Sequence, residues 1–309
     1  MGISLGWRIP QFPTDGSNSQ DFVTQIVHSL ELLGEGFDSA WLEDHMLPGP
    51  RWQNPETDSL EGWTTINYFM GKFERLSFGH IVLCNSYRNP ALLAKMVATL
   101  CSLAPGRFIL GMGAGWKENE YVSYGYEFPN GRTRIDALSE AIQIIRKMWT
   151  ENVVSFNGKY YKISGAYCNP KPNPIPPIMI GGGGERLTLR TVAEHADWWN
   201  GVVNLEDYKH KLDVLRSHCN RIGRDYESIK KTWLGCIAIT ETEDEAIRLA
   251  KNNPFPTREP TISGTPEQVS QKLKEFVDIG VEYLILRFLD FPSTTGTKLF
   301  TENVATQFR

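Results

Sequence analysis

Short apolar segments alternate with longer amphipathic ones along the whole chain, and this alternation limits the possible folds more than any other feature of the sequence. Eight short segments have the length and residue content of strands, and a helix-length segment separates each from the next. Parallel strands need crossover connections of that length. Eight such units in 309 residues therefore predict a (β/α)8 barrel, with insertions in the loops that follow the strands; a doubly wound open sheet is the alternative.

No repeat, low-complexity tract or linker divides the chain, so we expect a single domain over residues 1–309. An Asn157-Gly158 pair predicts a hairpin over residues 153–163, and Thr265 resembles a helix N-cap in front of Pro266. The predicted strands cover residues 3–9, 39–42, 76–84, 107–110, 177–180, 197–202, 232–239 and 283–288. The predicted helices cover residues 20–34, 90–103, 133–149, 187–195, 205–222, 243–251 and 266–279, with a further helix that ends near residue 71.

Charge and cysteine content argue against several classes of protein. The net charge is -4 without a basic stripe, which argues against a nucleic-acid partner. Five cysteines without a C-x-x-C pair predict neither a zinc site nor disulfides, and free thiols fit a cytoplasmic protein. The N-terminus lacks the apolar core of a signal peptide, and no apolar run reaches the length of a membrane span, so we expect no membrane partner.

Two glycine clusters each follow an apolar strand. Gly111, Gly113 and Gly115 have a spacing that differs from the dinucleotide-binding fingerprint. Taken alone, this first cluster is better explained by a tight turn that needs positive φ. Residues 181–184 are four successive glycines between a strand and a helix. Because four glycines lose much conformational entropy without packing against anything, we interpret them as backbone that approaches a phosphate at a helix N-terminus.

Asp44 and His45 follow the second predicted strand, at the edge where a barrel binds its ligands. A histidine side chain titrates near neutrality, which suits proton transfer, and the aspartate could orient the ring or bind a cofactor amide. The structural alternative is a histidine that caps a loop or bonds to the backbone. The position at a strand end favours catalysis. The other histidines show no metal-ligand spacing, and no H-E-x-x-H, G-x-S-x-G or G-K-[ST] motif is present, so no metal site is predicted.

Five stretches of the sequence are modest individually but specific in combination. They are Trp41-Leu42-Glu43-Asp44-His45, residues 88–95 (RNPALLAK), residues 106–116 (GRFILGMGAGW), residues 181–186 (GGGGER) and residues 196–200 (ADWWN). In this order they resemble the bacterial luciferase-like superfamily, and most closely its oxidoreductases that use the deazaflavin coenzyme F420. The resemblance extends from Ile3 to about Phe288. It implies a (β/α)8 barrel, often a homodimer, that holds a flavin or deazaflavin at the barrel mouth.

The resemblance also implies roles for individual residues. His45 would lie at the reacting face of the cofactor, with Asp44 near it. A non-prolyl cis peptide, placed near Ile81-Val82, would back the ring, and the tetraglycine amides would hold the phosphate. Cys84 matches a small polar residue that contacts the cofactor, and Asn119 matches an asparagine that bonds to it. The implied cofactor-binding set is Asp44, Ile81, Val82, Cys84, Gly113, Asn119, Gly181, Gly182, Gly183 and Gly184.

One departure from the family pattern concerns the substrate. Trp116 replaces a glutamate found in some sugar-phosphate dehydrogenases of the branch, which argues against glucose 6-phosphate. The predicted reaction is hydride transfer between coenzyme F420 and a small organic substrate, with His45 giving or taking the proton. Two alternatives share the barrel: a monooxygenase that uses reduced FMN and oxygen, and a non-catalytic flavin-binding protein. We expect the substrate to contact the loops at residues 47–60 and 253–263.

Overall fold

The computed structural model describes residues 2–49, 54, 56–253, 255 and 259–309, and twelve strands and ten α-helices lie within them. The strands are β1 (Ser4–Arg8), β2 (Ser39–Leu42), β3 (Ser77–His80), β4 (Leu83–Cys84), β5 (Phe108–Gly113), β6 (Val154–Asn157), β7 (Lys162–Ala166), β8 (Ile178–Gly181), β9 (Trp198–Gly201), β10 (Lys230–Ile239), β11 (Thr261–Gly264) and β12 (Tyr283–Phe288). The helices are α1 (Ser19–Leu32), α2 (Gly62–Lys72), α3 (Pro90–Leu103), α4 (Glu118–Ser123), α5 (Gly131–Thr150), α6 (Thr188–His195), α7 (Leu205–Ile222), α8 (Glu243–Lys251), α9 (Pro266–Asp278) and α10 (Thr295–Asn303).

The main sheet closes on itself as a parallel barrel. Its ring runs β1-β2-β3-β5-β8-β9-β10-β12 and returns to β1, where Trp7 pairs with Leu286. The short β4 continues β3 and pairs with β5. The long β10 pairs with β9 through its first half and with β11 through its second half. The (β/α)8 barrel is thus confirmed, and the open doubly wound sheet is wrong because a closed ring leaves no free edge strand.

A single indole fills one layer of the barrel interior. Trp41 on β2 is fully buried, and a Cβ on either Gly6 or Gly79 would overlap its ring. Glycine is required at these two positions because the indole crosses the barrel between β1 and β3. The indole Nε1 donates to Ser39 Oγ at 2.6 Å, and that hydroxyl also lies 2.6 Å from the hydroxyl of Tyr283. The interior layer is therefore both packed and fully hydrogen-bonded.

The helices cover the outside of the barrel with amphipathic faces. In α5, for example, Leu138, Ile142 and Ile145 recur at helical spacing and are completely buried or nearly so. The starts of α1, α2, α3, α5 and α7 carry side-chain caps, each worth about 1 kcal/mol. The predicted cap at Thr265 is confirmed, because it forms a capping box with Gln268. No helix within the described ranges is both long enough and apolar enough to span a bilayer.

The insertions lie partly where they were predicted. Residues 43–49 form a loop that follows β2, and residues 114–130, which include the short helix α4, follow β5. The predicted hairpin is confirmed as antiparallel β6 and β7, but it lies between α5 and β8, in a connection from a helix to a strand. β5 continues to Gly113 rather than ending at Leu110. Three elements were not predicted: α4, β11 and α10.

Candidate active site

An open cleft of about 690 Å³ lies at the carboxyl ends of the barrel strands, the end at which this fold binds its ligands. Six residues predicted from the sequence line it: Asp44, His45, Ile81, Val82, Cys84 and Gly113. Among the residues that the structure describes, Asn119 and the glycines at 181–184 are not part of this wall. The other lining residues are Arg8, Glu43, Leu83, Tyr87, Gly115, Trp116, Lys117, Glu120, Val202, Leu234 and Glu259.

His45 lies three residues beyond the end of β2, and 18% of its side chain is exposed. Its Nδ1 atom lies 3.0 Å from Oε2 of Glu120, on α4. The indole of Trp116 meets the imidazole edge to face, with ring centroids 5.3 Å apart. The side-chain amide of Gln11 donates to the His45 carbonyl oxygen, which fixes the backbone as well. The ring is therefore held through Nδ1, and Nε2 is the nitrogen left for a ligand in the cleft.

The carboxylate that holds His45 is itself buried and hydrogen-bonded on both oxygens. Glu120 is completely buried. A buried carboxylate is stable only when donors replace the water it has lost. Its Oε2 accepts from the Tyr87 hydroxyl at 3.0 Å and faces His45, while its Oε1 accepts from Lys117 Nζ at 2.8 Å and from the amides of Met46 and Leu47 at 3.0 and 2.9 Å.

These donors determine the charge of Glu120. Burial alone would raise its pKa, but the bonds and charges of His45 and Lys117 lower the pKa to about 2. Glu120 is therefore ionised at neutral pH and can only accept hydrogen bonds, so His45 donates to it from Nδ1. Lys117 also donates to the carbonyl oxygens of Leu47 and Pro48, both at 2.6 Å, and so ties the loop after β2 to α4.

Asp44 turns away from the imidazole of His45, although the two are neighbours in sequence. Arg88 donates to both oxygens of Asp44, at 2.7 and 2.9 Å, and the amide of Cys84 donates at 2.9 Å. Burial raises the pKa of Asp44, and the Arg88 guanidinium opposes that rise. The prediction that Asp44 could orient the ring is wrong, because Glu120 does so. Asp44 lines the cleft, and its contact with a cofactor stays a prediction.

A non-prolyl cis peptide joins Ile81 to Val82, where the family resemblance placed it. It lies between β3 and β4, and both residues line the cleft. The Val82 side chain lies between two glycines: a Cβ on Gly113 would be 2.6 Å from its Cγ2, and one on Gly181 would be 2.9 Å from its Cγ1. The two glycines thus make room for Val82, which forms part of the cleft wall.

The tetraglycine packs against the protein more than the sequence suggested. Gly181 makes room for a valine, Gly182 has φ +126°, and a Cβ on Gly184 would lie 2.8 Å from Oγ1 of Thr188. A positive φ of this size favours glycine on its own. The interpretation that the glycines at 181–184 pack against nothing is therefore wrong for three of the four.

Gly183 is different, because a Cβ there would meet no close neighbour. The nearest atom is Cε of Lys211, at 3.7 Å. Within the described residues, the amides of Gly183 and Gly184 have no acceptor, and α6 begins four residues after Gly184. Lys211 pairs with Glu185, and His210 lies 3.2 Å from the same carboxylate. Free amides and open space suit an anion at this loop.

Cys84 forms part of the same wall as an uncharged thiol. Burial raises the pKa of this thiol to about 11, and its Sγ lies 3.0 Å from the hydroxyl of Tyr121. A Cβ on Gly115 would overlap that hydroxyl, and Gly115 has φ +79°. The turn interpretation of the first glycine cluster is confirmed at Gly115, whereas Gly111 and Gly113 belong to β5.

Asn119 lies outside the described wall of the cleft, and its bond to a cofactor stays a prediction. It is exposed on α4, and the residue that α4 directs into the cleft is its neighbour Glu120. Glu120 and Lys117 were missed altogether, because no local pattern in the sequence marks a charged side chain that will be buried.

A second cluster of buried charges lies in the cleft, apart from His45. Arg8 pairs with Glu43 and Glu259. Arg287, near the end of β12, lies 3.5 Å from Glu43 and 3.8 Å from Glu259. Burial would raise the pKa of Glu43, but the two guanidinium groups lower it to about 2. Two positive and two negative side chains thus offset one another. The part of the chain that the structure describes holds no cluster of three or more His, Cys, Asp or Glu residues placed as metal ligands.

Comparisons with known proteins agree with this geometry. A family model described as luciferase-like monooxygenase matches residues 1–259. The F420-dependent glucose-6-phosphate dehydrogenase of Amycolatopsis mediterranei (strain U-32) is 34% identical over an alignment of 327 residues, which covers 94% of this chain and 95% of that protein. The protein of the same name from Kineococcus radiotolerans is 36% identical over 187 residues, 60% of this chain and 52% of that protein.

The barrel also matches solved structures. An F420-dependent secondary alcohol dehydrogenase, solved in complex with an F420-acetone adduct, superposes with a TM-score of 0.82 over 98% of both chains. Its sequence is 20% identical, so this likeness shows the fold alone. The family model covers most of the chain, and the Amycolatopsis relative aligns along nearly all of it. The chain belongs to the luciferase-like monooxygenase family.

Proposed function

We propose that this protein is an oxidoreductase that transfers a hydride between coenzyme F420 and a small organic substrate, with His45 as the proton donor or acceptor. The observation that carries the proposal is the presence of His45 and the Ile81–Val82 cis peptide in one cleft. Relatives named as F420-dependent dehydrogenases support the choice of cofactor. Protein groups orient the reactants, while the cofactor ring carries the electrons.

The residues present fit a planar ring with a phosphorylated tail. Ile81, Val82, Cys84 and Gly113 would hold the ring, with Asp44 near it. The glycines at 181–184 would hold the phosphate, and the open space and unpaired amides at Gly183 and Gly184 support this placement. Val82 touches the position of Gly181, so the two subsites adjoin.

When bound, the deazaflavin accepts or donates a hydride, which leaves one proton for the protein to manage. In the oxidation of an alcohol, the C–H bond gives up its hydride, the C=O bond forms, and Nε2 of His45 takes the hydroxyl proton. In the reverse direction, Nε2 gives that proton to the carbonyl oxygen. Nδ1 is bonded to Glu120 in both cases, so a single nitrogen performs the exchange.

The charges of the cleft support a substrate without a phosphate group. Arg8 and Lys117, the cations of the described wall, are each paired with carboxylates. Trp116 is 57% exposed and offers an apolar surface next to His45. The paired cations and the exposed indole favour an uncharged alcohol or carbonyl compound over glucose 6-phosphate. Of the predicted substrate loops, residues 50–53, 55, 254 and 256–258 lie outside the described residues.

A titration with both candidate cofactors tests the proposal. A cofactor at one hundred times its Kd should stabilise the fold by about 2.7 kcal/mol. We expect coenzyme F420 to raise Tm, and its absorbance to change when secondary alcohols or ketones are added, without a need for oxygen. A larger stabilisation by FMN with oxygen-dependent turnover would support the monooxygenase instead. Binding without any turnover would support a non-catalytic flavin-binding protein.

The proposal also covers the domain organisation, oligomeric state and location of the enzyme. We propose that residues 1–309 act as one domain, as a cytoplasmic homodimer with no nucleic-acid or membrane partner. The five cysteines are free and buried, and the net charge of -4 disfavours polyanions, which supports this setting. Light scattering on the purified protein would give the mass of the assembly, and a monomeric mass of 35.0 kDa would contradict the dimer.

A further inference from the structure

We propose that Glu120 is the positioning residue for His45: it determines which ring nitrogen faces the cleft, and it stabilises the positive charge of the ring after proton uptake. This inference rests on the proposed role of His45 and deepens it. Glu120 is not among the site residues predicted from the sequence. It acts through His45 and is not itself a catalytic residue.

The two oxygens of Glu120 have separate partners and therefore separate tasks. Oε1 binds the amides of Met46 and Leu47 and the ammonium of Lys117, so it holds the loop after β2 in place. Oε2 faces only His45 and the hydroxyl of Tyr87 among the described residues. A structural role in the loop explains the hydrogen bonds to Oε1. It does not explain the bond between Oε2 and His45. That second bond points to a task at the imidazole.

The other charges near His45 have partners of their own. Glu43, two residues before it, pairs with Arg8 and lies 3.5 Å from Arg287. Asp44 pairs with Arg88. Lys117 contacts the far oxygen of Glu120, and the Cys84 thiol and Tyr87 hydroxyl are uncharged because burial raises the pKa of each. Among the described residues Glu120 is therefore the anion in direct contact with the ring, and it is the one best placed to offset an imidazolium charge.

The proton that Nε2 takes from the substrate stays on the His45 ring and does not pass to Glu120. The ring donates from Nδ1 to Glu120 before and after Nε2 takes the substrate proton, so Nδ1–H remains intact. Glu120 has a pKa of about 2, far below that of an imidazolium, and it does not take the proton. The proton then leaves Nε2 for water or for the next substrate. Glu120 thus stabilises the charged ring without entering the proton balance.

Glu120→Gln tests the inference, because glutamine keeps the size and an acceptor oxygen but removes the charge. We expect turnover with coenzyme F420 to fall about tenfold, since a factor of ten corresponds to one pKa unit of lost charge stabilisation. We also expect the limb of the pH–rate profile that reports the proton on His45 to move to lower pH by about one unit, as for loss of an adjacent opposite charge. The Kd for coenzyme F420 should stay within about twofold. An unchanged pH profile would overturn the proposal.

A matched control exists at Glu140, on α5. Its carboxylate accepts three backbone amides, from Lys159, Tyr160 and Tyr161 at 2.8 to 3.1 Å, and it contacts no histidine among the described residues. Glu140→Gln therefore removes a similar amide-bonded charge far from His45. Its pH–rate profile should match the wild type. A shift as large as that of Glu120→Gln would mean that loss of a structural carboxylate alone is responsible.

A second variant keeps the test valid if Glu120→Gln does not fold. Tyr87→Phe removes one of the two partners of Oε2 and leaves the carboxylate charge in place. The remaining bond to His45 should strengthen, so the limb should move to higher pH, opposite in sign to Glu120→Gln. A move to lower pH would contradict the proposal.

NMR of the His45 ring in the cofactor-free protein separates this inference from the proposed function. We expect Glu120→Gln to lower the midpoint of the ring titration, whether or not coenzyme F420 binds. If the midpoint falls but no turnover occurs with coenzyme F420, the proposed function fails and the coupling stands. If turnover occurs and the midpoint does not move, the role of Glu120 fails and the proposed function stands.

Discussion

The loops after β2 and β8 lie at the same end of the barrel but are built in opposite ways. The loop after β2 presents side chains, and a charged partner fixes each one: Glu120 holds His45, and Arg88 holds Asp44. The loop after β8 presents backbone, with glycines at 181–184 and unpaired amides at Gly183 and Gly184. One loop is held by charged pairs and the other by the packing of glycines.

The difference teaches which task each loop can perform. A titratable ring beside an ionised carboxylate can exchange protons, but it offers few groups for a phosphate. Bare amides near a helix start can bind a phosphate, but they cannot exchange protons at neutral pH. Substitutions after β2 should therefore change turnover or stability, and substitutions after β8 should change cofactor affinity.

The largest effect is expected from His45→Ala. Loss of a general acid or base typically costs about 10² to 10⁴ in rate, so turnover should fall at least a hundredfold. The Kd for coenzyme F420 should remain nearly unchanged, because the proposed phosphate subsite lies after β8. Steady-state kinetics and a fluorescence titration measure the two quantities. His28→Ala on α1 removes an exposed histidine and serves as the control. Normal turnover in His45→Ala would remove the proton-transfer role.

Arg88→Met should cause the next largest effect, on stability. It leaves the carboxylate of Asp44 buried with only the Cys84 amide as donor, and such an unpaired charge costs about 3 kcal/mol. Urea unfolding measures the loss. The double variant Arg88→Met/Asp44→Asn should recover part of it, since the charge is gone. Lys147→Met, which breaks the exposed pair with Glu151, should cost less than about 0.5 kcal/mol. Equal losses in the single and double variants would show that the pair is not coupled.

His80→Phe should change how the free energy of unfolding depends on pH. His80 is fully buried, stacks on Trp63 at 5.7 Å, and has no hydrogen bond at either ring nitrogen within the described residues. Burial lowers its pKa from 6.5 to about 3. The unfolded chain therefore binds a proton below pH 6.5 that the folded chain does not, and stability falls as the pH falls from 6.5 toward 3.

The expected size of that effect is about 2 kcal/mol between pH 7 and pH 5 for one such group. His80→Phe removes the group, so its free energy of unfolding should fall less over this range than that of the wild type. Urea unfolding at several pH values checks this, with the exposed His28→Gln as the control. Identical slopes in His80→Phe and wild type would show that His80 takes up its proton in the folded protein too.

The barrel could be predicted because its elements have long, regular patterns. α3, α7, α8 and β12 begin and end where the periodicity placed them. α4 could not, because it has six residues and its buried side chains, Glu120 and Tyr121, are adjacent rather than at helical spacing. β11 has four residues between a proline and a glycine, which also fits a loop.

The site could be predicted only where function follows from position along one strand. His45 was found because it follows a strand, and the Ile81–Val82 cis peptide was placed by family resemblance. The contact between His45 and Glu120 spans 75 positions, and no local pattern marks a glutamate that will be buried. Of the two roles considered for Asp44, orienting the ring fails because successive side chains in extended backbone point in opposite directions.

The smallest effect tests the loop after β8, through Gly183→Ala. A methyl group at Gly183 would lie 3.7 Å from its nearest protein neighbour, so the fold and Tm should not change. The same methyl group would occupy open space beside the amides proposed to bind the phosphate, and we expect the Kd for coenzyme F420 to rise about tenfold, or 1.4 kcal/mol, with kcat unchanged. Gly71→Ala on α2 also adds a methyl group in open space, far from the cleft, and should leave Kd unchanged. If Gly183→Ala instead lowers kcat at an unchanged Kd, the two loops do not divide their tasks, and the phosphate binds elsewhere.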